Sequence, residues 1–346
     1  AVIVPVAVVA SQNGSSPQPT DLADQTSAPT SPAETPTAPS DPGGSVPDGW
    51  RVESYDGVQL KVPAHWGWGG VPGEAVSGQD GEFTCGQEGA FAYPGPDGET
   101  LFEEGAKVPY VGRAGYYMTD VCTNVLPPTD SYVWLGSAVE VGTVELANGF
   151  VQETVKVEGA HVVNVTVADT DAERRAMIIG SIETLGVDAN GCDTDMPTPP
   201  SPPLTNEDLL AGVGDIESVS VCVYSWLDWM GRDTDTRLGY STQMAGPAAQ
   251  SVFDAIAQTP EYKGAICAVY TPGGDEVLLR FHGREGDVDV AADIYNSCGA
   301  GFRVGRQFRW FTEGNVRPWI VDGVGLYASG GQLGNAISGL YPMPWK

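Results

Sequence analysis

Alternation of apolar and polar side chains with a period of two dominates this chain. Trp50–Ser54 and Val58–Val62 alternate on either side of Asp56-Gly57. Asp-Gly between alternating runs predicts a β-hairpin, and Pro63 closes its second strand. Further short strands are predicted at Tyr110–Arg113, Tyr132–Leu135, Val139–Leu146, Phe150–Val157 and His161–Ala168, the last two turning near Glu158-Gly159. The period then lengthens. Ala176, Ile179, Ile182 and Leu185 recur at every third position behind the acidic turn Thr170-Asp171-Ala172-Glu173. That pattern predicts one amphipathic helix, with acids where the helix dipole favours them and Gly186 as its stop.

A second patterned region follows a proline-rich break, Asp193–Pro203, which contains MPTPPSPP. No helix or central strand survives that proline density. Beyond it, Glu217–Ser225 and Leu238–Met244 read as strands. Pro247–Thr259 reads as a helix, with Ala248, Val252, Ile256 and Ala257 at helical spacing and Pro247 suited to its first turn. Ala265–Tyr270 and Glu276–His282 predict a hairpin through Pro272-Gly273-Gly274. Asp287–Ile294 is a strand candidate, and Phe302, Phe308, Trp310 and Phe311 mark later strands. Gly323–Gly339, with six glycines, receives no element. Strand-rich stretches with one or two helices each predict α+β domains with mostly antiparallel sheets.

The start of the chain is different again. Ala1–Ala10 reads AVIVPVAVVA, and Ser11–Asp48 is rich in Pro, Thr, Ser, Ala and Asp with no Lys or Arg. An apolar segment draining into such a stalk is how a membrane-anchored extracytoplasmic protein begins. A spanning helix needs about 20 apolar residues, so the visible segment reads as the outer end of an anchor or signal sequence. Proline and low hydrophobicity keep the stalk extended and disordered. The expected organisation is therefore an anchor or signal segment at 1–10 and a disordered linker at 11–48. A first α+β domain at 49–192, a Pro-rich linker at 193–203 and a second α+β domain at 204–346 follow.

Charge narrows the partners. With 17 basic and 45 acidic residues the net charge is −28. Such a surface repels nucleic acid and anionic lipid head groups. The six cysteines, Cys85, Cys122, Cys192, Cys222, Cys267 and Cys298, are widely spaced and form no Cys-x-x-Cys pair. In an exported chain that predicts disulfides rather than zinc. Locality favours Cys85–Cys122 and Cys267–Cys298, which leaves Cys192 with Cys222.

Two resemblances rest on short motifs. YDGVQLKVPAHW and the later TDAERRAMIIGSIETL bracket a strand-rich stretch, which resembles Mog1/PsbP-like domains over roughly Trp50–Val187. Gly67–Leu135, with two cysteines, departs from that pattern. The second half resembles a Cys-rich module of exported actinobacterial proteins. The likeness lies in VCVY at Val221–Tyr224, a helix ending in Thr-Pro, then Cys267 and Ser297-Cys298-Gly299. The resemblance implies an envelope protein with a single-pass anchor and attaches no activity to it.

Catalytic signatures are sparse. There is no G-x-S-x-G, phosphate loop, dinucleotide fingerprint or His-Glu-x-x-His, and three scattered histidines give no Ser-His-Asp spacing. The acidic run at Asp188, Asn190, Asp193 and Asp195 could gather oxygens for calcium, but it lacks EF-hand spacing and reads as a solvated linker beside a disulfide. No cofactor or metal is expected. The aromatic pairs Trp66/Trp68, flanked by glycines, and Trp226/Trp229 are the candidate ligand-binding positions. Trp66 and Trp68 are expected on one side of an extended segment. A buried plug is the alternative use of these rings. The expected function is a non-enzymatic envelope protein that binds or senses a glycan, peptide or protein, anchored to the membrane by its N-terminal segment. An ectodomain of a membrane-bound transcriptional regulator and a wall-acting enzyme are the other readings.

Overall fold

A computed structural model describes residues 46–69, 75–77, 83–85, 108–113, 124–125, 128–137, 139–197, 210–226, 236–263, 276–293, 301–305 and 307–328. Residues 1–45, where the anchor segment and most of the stalk are expected, lie outside them. Among the described residues, no helix is long and apolar enough to cross a membrane. Pro42–Lys346 clusters as one compact unit.

The first half contributes Trp50–Tyr55 (β1), Val58–Pro63 (β2), Gly67–Gly69 (β3), Ala75–Ser77 (β4), Phe83–Cys85 (β5), Tyr110–Arg113 (β6), Asn124–Val125 (β7) and Tyr132–Leu135 (β8). Gly142–Glu145 (β9), Val151–Glu158 (β10), Val162–Asp169 (β11), the helix Ala172–Gly180 (α1) and Glu183–Thr184 (β12) complete it. The second half contributes Ile216–Trp226 (β13), Thr236–Ala245 (β14), the helix Pro247–Ala257 (α2), Glu276–Gly283 (β15), Gly286–Asp293 (β16), Gly301–Val304 (β17) and Gln307–Trp310 (β18). The short helices Glu313–Val316 (α3) and Val324–Tyr327 (α4) end it. The result is an α+β fold with mostly antiparallel sheets.

One six-stranded sheet runs β3-β6-β8-β11-β10-β9 and the other runs β14-β13-β15-β16-β17-β18. The first is mixed, because β6 pairs in parallel with both β3 and β8. Every pairing in the second is antiparallel. Two three-stranded sheets, β1-β2-β12 and β4-β5-β7, complete the set.

The β1–β2 hairpin forms at Asp56-Gly57, both residues having positive φ (48° and 77°), as a primed turn requires. Helix α1 is shorter than predicted. Asp171 caps it, accepting from the Glu173 and Arg174 amides, and Ser181 ends it. Glu183 and Thr184 then pair with Gln59 and Val58. Ile178, rather than Ala176, faces the core. Glu276–Gly283 pairs with β13 and with β16. The expected partner Ala265–Tyr270 lies outside the described residues.

Each half carries a core. The first gathers Leu60, Val62, Trp66, Trp134, Val165 and Ile178 around its sheet. The second gathers Val219, Val221, Phe253, Phe281 and Trp319, and it includes Trp68 from the first half. The segment 187–197 lies across the outer side of the second sheet as a strap. Its amides and carbonyls extend the β14 edge: Met196 N donates to Thr236 O (3.0 Å) and Leu238 N to Thr194 O (2.8 Å). The hairpin tip joins the same edge through Asp56 N to Leu238 O (2.7 Å). Backbone groups of β14 that would otherwise be an open sheet edge are thereby occupied.

Candidate functional site

Where the two halves meet, a buried clamp is assembled from side chains far apart in sequence. Glu53, on β1, is 1% exposed and lies between two guanidiniums. Arg51, two residues back on the same strand face, donates Nε to Glu53 Oε1 at 2.6 Å. Arg113, at the end of β6, donates Nη2 to Glu53 Oε2. Burial alone would push the Glu53 carboxyl up. The Arg113 and Arg51 charges outweigh it and hold the carboxyl below its ordinary value. Burial likewise opposes the Arg113 charge, and Glu53 more than offsets that, keeping its pKa above the ordinary value.

Two tyrosines of the second half complete the clamp. Tyr240 and Tyr327 pack ring to ring at 4.9 Å. The Arg113 guanidinium caps both, 4.8 and 4.7 Å from their centroids. Tyr327 donates its hydroxyl to Gly69 O at 2.9 Å, with Val111 O at 3.1 Å. Arg51 lies over the Trp68 ring at 4.1 Å. It also donates Nη1 to Ala64 O (2.8 Å) and Trp66 O (2.5 Å), and Nη2 to Gly67 O (3.3 Å).

Above this clamp opens a cavity of about 140 Å³. Its floor is Glu53, Trp68 and Tyr240, and polar residues of both halves form its wall: Asn190, Gln243 and Asp322. The turn that carries Asp322 depends on a close approach. A Cβ on Gly323 would lie 3.0 Å from both Trp68 and Tyr327, so glycine lets the turn sit on those rings. Gly323 N also donates to the Tyr240 hydroxyl at 3.1 Å. Asp322 takes Thr242 Oγ1–H on Oδ2 at 3.1 Å. The residue is exposed at the rim, yet loss of water around its carboxyl raises its pKa, more than the Thr242 bond and Arg51 lower it.

Asn190 reaches the cavity from the strap. Asp188 builds that loop by accepting the Asn190 and Cys192 amides (3.0 and 2.8 Å) on Oδ1 and the Ser241 hydroxyl on Oδ2. Burial raises its pKa despite these bonds. The Cys192–Cys222 disulfide staples the loop to β13, as expected. The remaining acids of this run, which the sequence reads as a solvated linker, are dispersed. Asp193 pairs with Arg280 and Asp195 with His161. Among the described residues, no group of three or more metal-ligating side chains converges.

The aromatic candidates separate. Trp66 and Trp68 do not share a side: Trp66 lies in the first core and Trp68 in the second. Trp66 N donates to Pro63 O in a turn before β3, so the period of two does not carry through it. Trp68 alone of the pair borders the cavity. Only the backbone of Trp226 is described, at the end of β13, and Trp229 lies outside the described residues. The other cysteine side chains, of Cys85, Cys122, Cys267 and Cys298, also lie outside them.

The structure brings together a second constellation that spacing did not show. Ser220 Oγ lies 3.3 Å from His282 Nε2, and His282 Nδ1 lies 3.2 Å from Asp287 Oδ2. That connectivity is the one a serine nucleophile uses. Ser220 is completely buried, however, and a Cβ on the overlying Gly191 would lie 2.9 Å from its Oγ. Arg280 Nη1 donates to Gly191 O at 3.0 Å and holds the cover in place. The row is a structural hydrogen-bond run beneath the strap.

Glu53, Arg113, Tyr240 and Tyr327 were not singled out from sequence. The available signal was weak: an Arg ending the apolar strand YVGR, and an Arg and a Glu two apart in WRVESY. No protein-family model, curated protein or solved structure matches this chain.

Proposed function

We propose that this chain is a non-enzymatic cell-envelope protein, an extracytoplasmic module for binding or sensing. The N-terminal apolar segment anchors it to the membrane and the Pro/Thr-rich stalk holds it off the surface. The observation that carries the reading is the cavity itself. Its wall is drawn from both halves of the chain, and its floor is the clamp that ties them together. A ligand there touches both halves at once, which suits recognition that must be passed on.

The wall-acting enzyme is less well supported. Glu53 and Asp322 border the same cavity, and their environments push their pKa values in opposite directions. Such a split is what an acid and base pair needs. Each Glu53 oxygen already accepts from a guanidinium, and the two cations hold the carboxyl ionised, which disfavours its taking up a proton.

The test is ligand-induced stabilisation of the full chain by fragments of envelope material, read by thermal unfolding, since a ligand that binds only the native state raises its stability by mass action. Gln243 is exposed at the mouth. Gln243→Trp, which fills the mouth, abolishes the effect while leaving the unliganded melting temperature near wild type. Stabilisation that persists in this variant places the binding elsewhere and refutes the site.

A further inference from the structure

We infer that the seam cavity recognises a neutral saccharide, one terminal sugar ring of an envelope glycan. This rests on the binding-module reading and specifies its ligand.

Charge balance comes first. One cation lining the cavity, Arg51, and one buried beneath it, Arg113, are set against two lining carboxylates, Glu53 and Asp322. The cations have little left to offer an anion. Arg51 directs Nε to Glu53 and its terminal nitrogens to the carbonyls of Ala64, Trp66 and Gly67. Arg113 is bonded to Glu53 through Nη2 and covered by two tyrosine rings; its Nε and Nη1 have no hydrogen-bond partner among the described residues, but they are buried and the residue does not line the cavity. A bound phosphate or carboxylate would meet no donor fork. A bound ammonium would gain Asp322 but would sit beside the Arg51 charge, which already acts on that carboxyl.

The polar valences that remain suit hydroxyl groups. Asp322 has Oδ2 occupied by Thr242, leaving Oδ1 as an acceptor at the rim. Asn190 turns its Nδ2 to Ser241 (2.9 Å to Oγ), which leaves Oδ1 as a second acceptor. Gln243 has only a marginal bond of its own, Nε2 to Asn190 O at 3.5 Å, so its amide can both donate and accept. These are three planar polar groups on a small cavity, two of them acceptors in want of O–H donors. Neighbouring ring hydroxyls supply such donors without bringing charge. The volume of about 140 Å³ suits one ring rather than an oligomer, so the remainder of a glycan would lie outside the mouth. Trp68 contributes an apolar floor and no open stacking face, because Arg51 covers it.

The experiment is saturation-transfer NMR and calorimetric titration of the full chain. The neutral probes are glucose, galactose, mannose and N-acetylglucosamine, and the charged probes are inorganic phosphate and ethylammonium. The variants are Asp322→Asn and Gln243→Leu. Asn tolerates the left-handed φ of 48° found at Asp322, so this turn is retained. At least one neutral sugar binds, and each variant weakens it by about tenfold, as loss of one ligand hydrogen bond does. The charged probes show no saturable binding. The inference is overturned if phosphate or ethylammonium binds in a variant-sensitive way and the sugars do not, an outcome that leaves the binding-module reading standing. It is also overturned if a sugar binds equally well to wild type and both variants. If no probe and no envelope fragment binds, the inference and the underlying reading fall together.

Discussion

Replacing Arg113 with Met removes the cation at the centre of the clamp while keeping its bulk. Glu53, 1% exposed, is then left with Arg51 alone. Breaking a buried ion pair by removing one partner costs about 3–5 kcal/mol, because the other charge remains buried without compensation. The two ring contacts, at 4.8 and 4.7 Å, add roughly 0.5–2 kcal/mol each where the cation is desolvated. These losses overlap, so the expected destabilisation is about 4 kcal/mol, a large share of the roughly 5–15 kcal/mol that holds a typical domain. Urea unfolding followed by tryptophan fluorescence measures it, since Trp66, Trp134 and Trp319 are almost wholly buried. The double variant Glu53→Leu/Arg113→Met separates charge from packing. It removes the stranded carboxylate, and Arg51 keeps its three backbone carbonyls, so it recovers about 2 kcal/mol relative to Arg113→Met alone. A single-variant cost below about 1 kcal/mol, the level of a solvated surface pair, would refute the reasoning. So would a double variant no more stable than the single one.

Two further outcomes follow from the strap. Cys192 and Cys222 are 30 residues apart, so cutting their link (Cys192→Ala/Cys222→Ala) should lower stability by roughly 3–4 kcal/mol on loop-entropy grounds, read from the denaturant midpoint; a loss under about 1 kcal/mol sinks this. Asp188 has its folded pKa raised by burial, so in the pH window between its unfolded and folded pKa values the native carboxyl binds more protons than the unfolded one. Stability gained through Asp188 therefore rises as pH falls from neutral toward the ordinary carboxylate range, while Glu53, shifted the other way, gives up its contribution only at more acidic pH. Asp188→Asn should flatten the gain seen on mild acidification, and melting curves of wild type and variant that stay parallel across pH contradict the assignment.

The local elements of this fold were legible. Asp56-Gly57 announced its hairpin because a primed turn demands positive φ at two successive residues, and that demand is written in two letters. Helix α1 was legible in place and not in extent. The three-residue spacing through Ile182 and Leu185 looks helical, but pairing of Glu183 and Thr184 with β2 takes over after Ser181. Trp66 and Trp68 show the same limit, since one turn between two strands resets which way a side chain faces. The clamp was the least legible. Glu53 and Arg113 are 60 residues apart, and Arg113 and Tyr327 much further. A polar residue in an apolar strand signals that a partner exists, and nothing local says which. The Cys192–Cys222 pairing was reached because locality assigns the other four cysteines to one another and leaves these two.

Trp68 gives the fold one more property. It is carried by the first half and buried in the core of the second, with Gly323 shaped to receive it. A cut at the proline-rich stretch would divide regions that look separable in composition, yet it would withdraw a ring from the fragment that keeps residues 204–346. The void would be lined by Tyr327 and Tyr240, whose cap Arg113 would leave at the same time. Heating the intact chain should accordingly give one shared heat-absorption peak for both halves. A side chain at Gly323 would press on Trp68 across that boundary as well as on Tyr327 beside it, so one packing constraint is shared by both halves.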